Sequence, residues 1–163
     1  MSHLASTLGR VALRPATDRD RDLLLHVYSS TREEELSQVT WAPGQREAFV
    51  RMQFDAQDTQ YRQHNPTGTF DVIEVGGRPA GRLYVDRRPD DIRVVDLALL
   101  PEFRGAGIGG DLLRRLQEEA AASGRILSIH VEVHNRAAEL YRRLGFVTAA
   151  ERGVYRRMEW RAP

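Results

Sequence analysis

The feature that most constrains the fold of this chain is a glycine-rich segment between a strand-like pattern and a helical one. Residues 92–100 are apolar and rich in β-branched side chains, which predicts a strand. The segment 104–110 (Arg-Gly-Ala-Gly-Ile-Gly-Gly) follows, and after it Leu112, Leu116 and Ala120 recur at helical spacing. A strand that passes through a tight turn into an amphipathic helix is typical of an α/β fold.

The rest of the chain predicts one domain over residues 1–163 with a mixed, mostly antiparallel sheet. Strand and helix patterns follow one another in the order β-α-α-β-β-β-α-β-α-β-β, with one strand–helix–strand crossover in the second half. In the helix predicted over residues 45–63, the spacing places Phe49, Met52 and Ala56 on one side. The expected strands are residues 10–14, 70–75, 80–85, 92–100, 126–133 and a final pair within 146–160.

Composition and charge exclude several classes of function. The chain has 24 basic and 23 acidic side chains, so we expect no strongly basic face and no nucleic-acid partner. It has no cysteine, which excludes disulfides and cysteine nucleophiles, and no metal-ligand spacing, so no metal is expected. There is neither a bilayer-spanning apolar stretch nor a signal-peptide core, so we expect a cytoplasmic protein with no membrane partner.

The glycine-rich segment predicts a binding site for an anion. Glycine adopts positive φ without steric cost, so successive backbone N–H groups can converge on one ligand. The helix that follows adds unpaired N–H donors and the positive end of its dipole. Arg104 stands at the start of the segment with a guanidinium suited to a phosphate oxygen. These features favour a pyrophosphate site over the alternative, a glycine-rich turn that binds nothing.

Two nucleotide-binding motifs fit the segment less well. Gly105-x-Gly107-x-x-Gly110 matches the dinucleotide fingerprint, and Glu132 lies at the distance expected for a ribose contact. That fingerprint opens a fold with several further strand–helix units, and the sequence after Glu132 is too short for them. A P-loop needs a lysine after the glycines, and every basic residue of this chain is an arginine.

A third interpretation accounts for more of the sequence. Arg104-x-x-Gly107-x-Gly109 resembles the acyl-coenzyme A signature (Gln/Arg-x-x-Gly-x-Gly/Ala) of the GNAT, or GCN5-related N-acetyltransferase, superfamily. The segment 96–104 is similar to the family's fourth strand and its run into that signature. The residues that resemble its fifth strand and fourth helix are, in order, Val131, Asn135, Ala138, Tyr141, Gly145 and Phe146. The resemblance implies a sheet of about six or seven strands, about four flanking helices, and fourth and fifth strands that splay around the coenzyme.

The resemblance also implies an enzyme with acetyl-coenzyme A (acetyl-CoA) as its co-substrate. In this family the acetyl group passes directly to an acceptor, here a primary amine of a small molecule or peptide, in a ternary complex. The absence of cysteine agrees, because it excludes an acetyl-cysteine intermediate. The residues expected to bind pantetheine and then pyrophosphate are Leu97, Leu99, Arg104, Gly105, Ala106, Gly107, Ile108, Gly109 and Gly110. Asn135 is either a further coenzyme contact or the N-cap of the last helix.

Three residues are the main candidates for the chemistry. Tyr141 matches the family's tyrosine that protonates the departing thiolate, and the alternative is ordinary core packing. Alternation places Glu132, with His130, on the polar face of its strand, where either is a candidate general base or simply solvated. Asp96 interrupts an apolar strand and is either another candidate base or a structural acid.

Further residues are candidates for the acceptor side. The run 33–35 (Glu-Glu-Glu) either attracts a cationic amine or forms a solvated helix face. Four side chains are candidates for the pocket lining: Trp41, Tyr61, His64 and Tyr84. A strand within residues 154–160 is a candidate for pairing between the subunits of a homodimer.

A second hypothesis is a protein with the same fold that catalyses no reaction. The chain would then be a non-catalytic acyl-CoA-binding sensor or interaction module. Tyr141 and the intact glycine-rich segment together favour the enzyme, because a sensor needs only the coenzyme site.

Overall fold

One seven-stranded sheet runs through the part of the chain that the computed structural model describes, residues 10–133, 135 and 137–163. Its spatial order is β1-β2-β3-β4-β5-β7-β6, and within the described residues β4 and β5 are the one parallel pair. The strands are β1 (Val11–Pro15), β2 (Gly68–Val75), β3 (Arg78–Arg87), β4 (Asp91–Leu99), β5 (Ile126–Glu132), β6 (Val147–Arg152) and β7 (Tyr155–Trp160). The predicted α/β class and mostly antiparallel sheet are confirmed.

Helices cover both faces of this sheet. They are α1 (Arg21–Thr31), α2 (Glu33–Leu36), α3 (Gln45–His64), α4 (Ile108–Ser123) and α5 (Ala137–Arg143). Four of them match the prediction of about four helices, and α2 adds a single turn. None of the helices in the described ranges is long and apolar enough to cross a membrane.

The larger core lies between the sheet and α4. The leucines 112, 113 and 116 of α4 are buried there, as the helical spacing predicts, and they join a cluster with strand residues such as Ile92, Leu127 and Ile129. Tyr141 of α5 and Phe146 belong to the same cluster. Burial of this apolar stripe fixes α4, and with it the glycine-rich segment, against the ends of β4 and β5.

A second cluster joins α1 and α3 to the other face of the sheet. Leu24, Tyr28, Val50, Phe54 and Val72 are its buried members. Met52, which the helical spacing groups with Phe49 and Ala56, is not on the buried side of α3, because its exposed fraction is 59%. Val50 and Phe54, four residues apart and therefore on one helix face, are the residues that pack inward.

The predicted splay of β4 and β5 is confirmed. Their parallel ladder runs from Asp91↔Ile126 to Val94↔Ile129 and stops there, although both strands continue. On its other side β4 carries a β-bulge, because Tyr84 pairs with Asp96 and the next residue of β3 pairs with Val94. The extra residue, Val95, bends β4, and the ladder with β5 ends at the same point.

The proposed subunit pairing through residues 154–160 is wrong for β7. Both edges of this strand are occupied within the chain, because β7 pairs with β5 on one side and with β6 on the other. A second subunit cannot hydrogen-bond to the backbone of a strand that has no free edge.

Candidate active site

The gap between β4 and β5 opens into a cleft of about 1000 Å³. Residues from β3, β4, β5 and β7 line it, together with the C-terminal part of α1, with α2, with α3 and with the start of α5. The residues predicted for the site that line this cleft are Asp96, Leu97, Leu99, Arg104, Glu132, Asn135 and Tyr141. The fold therefore gathers in one place residues that are up to 45 positions apart in the sequence.

The backbone of β4 presents a free edge to this cleft. Leu100 N donates to Ala80 O at 2.8 Å and so points toward β3. Because alternate residues direct their backbone groups to opposite edges of a strand, Leu97 and Leu99 point away from β3, into the gap. Leu97 and Leu99 are the two residues predicted to bind the amides of pantetheine.

The glycine-rich segment lies at the end of that edge. Gly105 and Gly107 have φ of +75° and +83°, which favour glycine. Asp111 N, which donates to Gly107 O at 3.0 Å, makes the first hydrogen bond of α4. Within the described residues, the six amides from Gly105 to Gly110 have no acceptor, and a Cβ at Gly105 or Gly107 would meet nothing within 4 Å. Six free donors around open space fit an anion with many oxygens.

Arg104 is placed differently from the prediction. Its guanidinium does not stand over the glycines. Nε donates to Leu99 O at 2.9 Å, and Nη2 contacts Ser30 Oγ at 3.4 Å. The side chain therefore occupies one acceptor of the free β4 edge and links the loop to α1, which leaves the backbone amides as the candidate donors to an anion.

Tyr141 is both a core residue and a cleft residue. Its exposed fraction is 5%, and its ring lies 5.9 Å from that of Phe146 between centroids. Burial, followed by the negative charge of Asp96, raises the pKa of Tyr141 to about 12. Its hydroxyl has no hydrogen-bond partner among the described residues. The phenol is therefore held in its protonated form at the edge of the cleft.

Asn135 caps α5, as one of its two predicted roles requires. Its Oδ1 accepts a hydrogen bond from Ala137 N at 2.9 Å, and its backbone oxygen accepts one from Ala138 N at 3.1 Å. The side chain is exposed and also lines the cleft. His134 and Arg136, which flank it, lie outside the described residues.

Asp96 belongs to a network that the sequence analysis missed. Arg82 Nη2 donates to Asp96 Oδ2 at 2.6 Å, and the Tyr61 hydroxyl donates to the same oxygen at 2.9 Å. Arg82 also donates to Gln57 Oε1 at 2.8 Å and is only 2% exposed. Burial, then the negative charge of Asp96, raises the pKa of Tyr61 above its usual range. An arginine inside the apolar strand 80–85 was the available signal, since a buried guanidinium needs a carboxylate.

His130 and Glu132 extend the polar side of the cleft along β5. Both are exposed and point to the same face of the strand, just beyond the last pair of the β4–β5 ladder. Partial burial, followed by the positive charges of Arg93 and Arg157, lowers the pKa of His130. The imidazole is therefore mainly neutral near pH 7 and able to accept a proton.

We expect an NMR titration of the histidine ring protons to give His130 a pKa below 6.5. Arg93→Gln should raise that pKa, because it removes the charge that most opposes imidazole protonation. Arg51→Gln is the matched control, since Arg51 is exposed on α3 and is not among the charges that act on His130. An unchanged His130 pKa in Arg93→Gln would contradict this assignment.

Some of the acidic and aromatic residues proposed for the acceptor side line the cleft, and the others lie elsewhere in the molecule. Residues 33–35 line the cleft mouth, where Glu33 pairs with Arg46 and Glu35 with Arg32. Tyr61 lines the cleft, and Tyr84 is buried beside it with ring centroids 6.0 Å apart. The two other candidates are elsewhere: Trp41 packs on Phe49, and His64 lies at the end of α3 with Nδ1 3.0 Å from Gln60 O. In the described ranges no group of three or more histidine and carboxylate side chains is placed to hold a metal ion.

Relatives of this sequence are acetyltransferases by name. The family model of the acetyltransferase (GNAT) domain matches residues 66–148, just over half of the chain. An uncharacterized N-acetyltransferase of Methanocaldococcus jannaschii is 36% identical over 86 residues, which cover 47% of this chain and 38% of that protein. A Bacillus subtilis protein, named as a candidate alanine N-acetyltransferase of ribosomal protein bS18, is 33% identical over 93 residues. That match covers 56% of this chain and 62% of the relative, so the chain spans less than two thirds of both proteins.

Solved structures share the fold over nearly the whole chain. The PaiA N-acetyltransferase of Thermoplasma acidophilum, in complex with coenzyme A, has a TM-score of 0.70 at 17% identity, over 94% of this chain and 99% of that one. An acetyltransferase of Thermus thermophilus has a TM-score of 0.68 at 21% identity, over 93% and 97% of the two chains. At these identities the likeness is one of fold.

Proposed function

This chain belongs to the GNAT acetyltransferase family, and we propose that it transfers an acetyl group from acetyl-CoA directly to a primary amine of a small molecule or peptide. The observation that carries the proposal is the shape of the cleft. A free backbone edge on β4 leads to a helix N-terminus, where the six amides of residues 105–110 have no acceptor among the described residues. That arrangement suits a long ligand with amides in its arm and a pyrophosphate at one end.

On the coenzyme side, the backbone does most of the binding. Acetyl-CoA supplies the reactive thioester when it is bound. The backbone groups of Leu97 and Leu99 bind the amides of its arm, and the amides of residues 105–110 bind its pyrophosphate. Arg104 must release Leu99 O for the arm to use that acceptor, which frees its guanidinium for a phosphate oxygen.

On the acceptor side, the amine must lose a proton before it can attack, since an ammonium has no lone pair. His130 is mainly neutral near pH 7, and both it and Glu132 are exposed, so either can take that proton and pass it to solvent. Asp96 is suited to binding the ammonium, because Arg82 holds its carboxylate in place and the side chain lines the cleft.

Tyr141 supplies a proton at the other end of the reaction. As the amine nitrogen forms its bond to the acyl carbon, the carbon–sulfur bond breaks and sulfur leaves with the electron pair. Tyr141 then gives its hydroxyl proton to that thiolate. The nitrogen, which still carries one proton more than the amide product, releases it to solvent, and Tyr141 regains a proton from solvent through the cleft. The pKa of about 12 keeps the phenol protonated until the thiolate appears.

The test is acetyl-CoA turnover against four amines, with free thiol as the readout. The amines are kanamycin, spermidine, L-lysine and trialanine, and the last is included because the Bacillus subtilis relative is named for alanine acetylation. We expect thiol release that depends on one of them. Release that is equal with and without amine would be hydrolysis and would contradict the proposal.

Coenzyme binding separates the enzyme from the sensor. We expect saturating CoA, at about a hundred times Kd, to raise Tm by about 5 °C or more, and NAD to leave it unchanged. Binding of CoA without turnover of any of the four amines would favour the non-catalytic sensor. A shift with NAD alone would favour a dinucleotide site.

A further inference from the structure

We propose that Tyr61 and Arg82 are positioning residues that hold Asp96 for the ammonium group of the acceptor. The proposal rests on the acetyltransferase function above and assigns how the acceptor is recognised. The ligand it names is a protonated primary amine, bound by the free oxygen of Asp96.

The two oxygens of Asp96 have different surroundings. Oδ2 accepts hydrogen bonds from both Tyr61 Oη, at 2.9 Å, and Arg82 Nη2, at 2.6 Å. Oδ1 accepts none from the described residues. The Asp96 side chain remains 13% exposed and lines the cleft. Two donors on one oxygen fix the carboxylate plane and leave the other oxygen for a ligand.

Moving Arg82 out of this arrangement would cost substantial free energy. Its side chain is 3% exposed, a second hydrogen bond holds it to Gln57, and its guanidinium lies 5.1 Å from the Tyr84 ring centroid. A guanidinium that is buried this deeply loses its hydration and depends on its carboxylate partner. The ion pair is therefore a fixed part of the cleft floor, with its position set by β3 and β4.

Asp96 also lies where the acceptor must arrive. It is the first residue of β4 beyond the bulge at Val95, and the ladder to β5 has just ended. His130 stands at the corresponding point of β5, and Tyr141 is near enough for the charge of Asp96 to act on it. An ammonium at Oδ1 would therefore share the cleft with Tyr141, which protonates sulfur, and with His130, which can take up the proton of the amine.

Tyr61→Phe is the decisive variant because it removes one hydrogen bond to Oδ2 and keeps the ring. With whichever of the four amines has the highest kcat/KM, we expect its KM to rise about tenfold, the loss typical of one hydrogen bond to a charged group. The KM for acetyl-CoA and the Kd for CoA should not change. In Asp96→Asn the amine KM should rise about a hundredfold, because the charge that binds the ammonium is gone.

A double-mutant cycle separates positioning from general loss of structure. If Tyr61 acts through Asp96, Tyr61→Phe has no further effect on amine KM in the Asp96→Asn background. Thr69→Val is the matched control, since it also removes one hydroxyl, which donates to Val85 O and accepts from Arg87, and it does not line the cleft. We expect wild-type KM values for that variant.

Two results would overturn the proposal. One is a tenfold effect of Tyr61→Phe that persists in Asp96→Asn, and the other is an unchanged amine KM in Tyr61→Phe. Both require a wild-type protein that acetylates an amine. An inactive wild type instead contradicts the proposed function, so the two failures are distinguishable.

Discussion

Gly107→Glu is expected to reduce the affinity for CoA about a thousandfold or more. Gly107 is the residue before α4, and its amide is one of the six free donors. The glutamate carboxylate would occupy the space that the pyrophosphate needs and would repel its charge. Loss of two hydrogen bonds to a charged ligand is enough for an effect of about this size. Isothermal titration calorimetry with CoA measures it directly.

Gly107→Ala is the matched control for that experiment. It introduces the same positive-φ strain, about 1–2 kcal/mol of stability, without bulk or charge at the site. A Cβ there meets nothing within 4 Å, so no steric clash is added. We expect Gly107→Ala to bind CoA with an affinity near that of the wild type and to unfold at a lower temperature. Full CoA affinity in Gly107→Glu would mean that the phosphates bind elsewhere.

Tyr141→Phe is expected to lower kcat by about a hundredfold or more while the Kd for CoA stays nearly constant. The substitution removes only the hydroxyl, so the packing against Phe146 and the rest of the core is kept. Without a proton donor at the sulfur, the thiolate must leave unprotonated or take its proton from water. Steady-state thiol release and calorimetry with CoA measure the two quantities.

The control for this prediction is Thr69→Val, which also removes one hydroxyl but at a position that does not line the cleft. Its kcat should equal that of the wild type. If Tyr141→Phe has the kcat of the wild type, Tyr141 is only a core residue. If its kcat and its CoA affinity fall together, the hydroxyl binds the coenzyme instead of protonating sulfur.

Much of the conformation of the glycine-rich segment was predictable because the signals for it are local. Glycines that permit positive φ, a helix N-terminus and the apolar stripe of α4 all lie within residues 104–120. Local conformational preference fixes such a segment largely on its own. The end of β4 and the cap at Asn135 were predictable for the same reason.

The acceptor side was not predictable to the same degree because its contacts are long-range. Asp96 is 14 residues from Arg82 and 35 from Tyr61, and periodicity cannot pair residues at such distances. Helical spacing has the same limit in α3: it groups Met52 with Phe49, but only the packing against α1 decides that Val50 and Phe54 are the buried residues. The direction of the Arg104 side chain was not predictable either, since its Nε donates to Leu99 O instead of facing the glycines.

The sequence by itself determined the order of strands and helices, the glycine-rich helix start at residues 105–110 and the candidacy of Tyr141. These depend on backbone conformation and on motif spacing, which neighbouring residues encode. The tertiary structure alone decided the bulge at Val95, the opening of the cleft and the network of Arg82, Tyr61 and Asp96. Strand register and burial set those features, and both arise only when distant parts of the chain pack together.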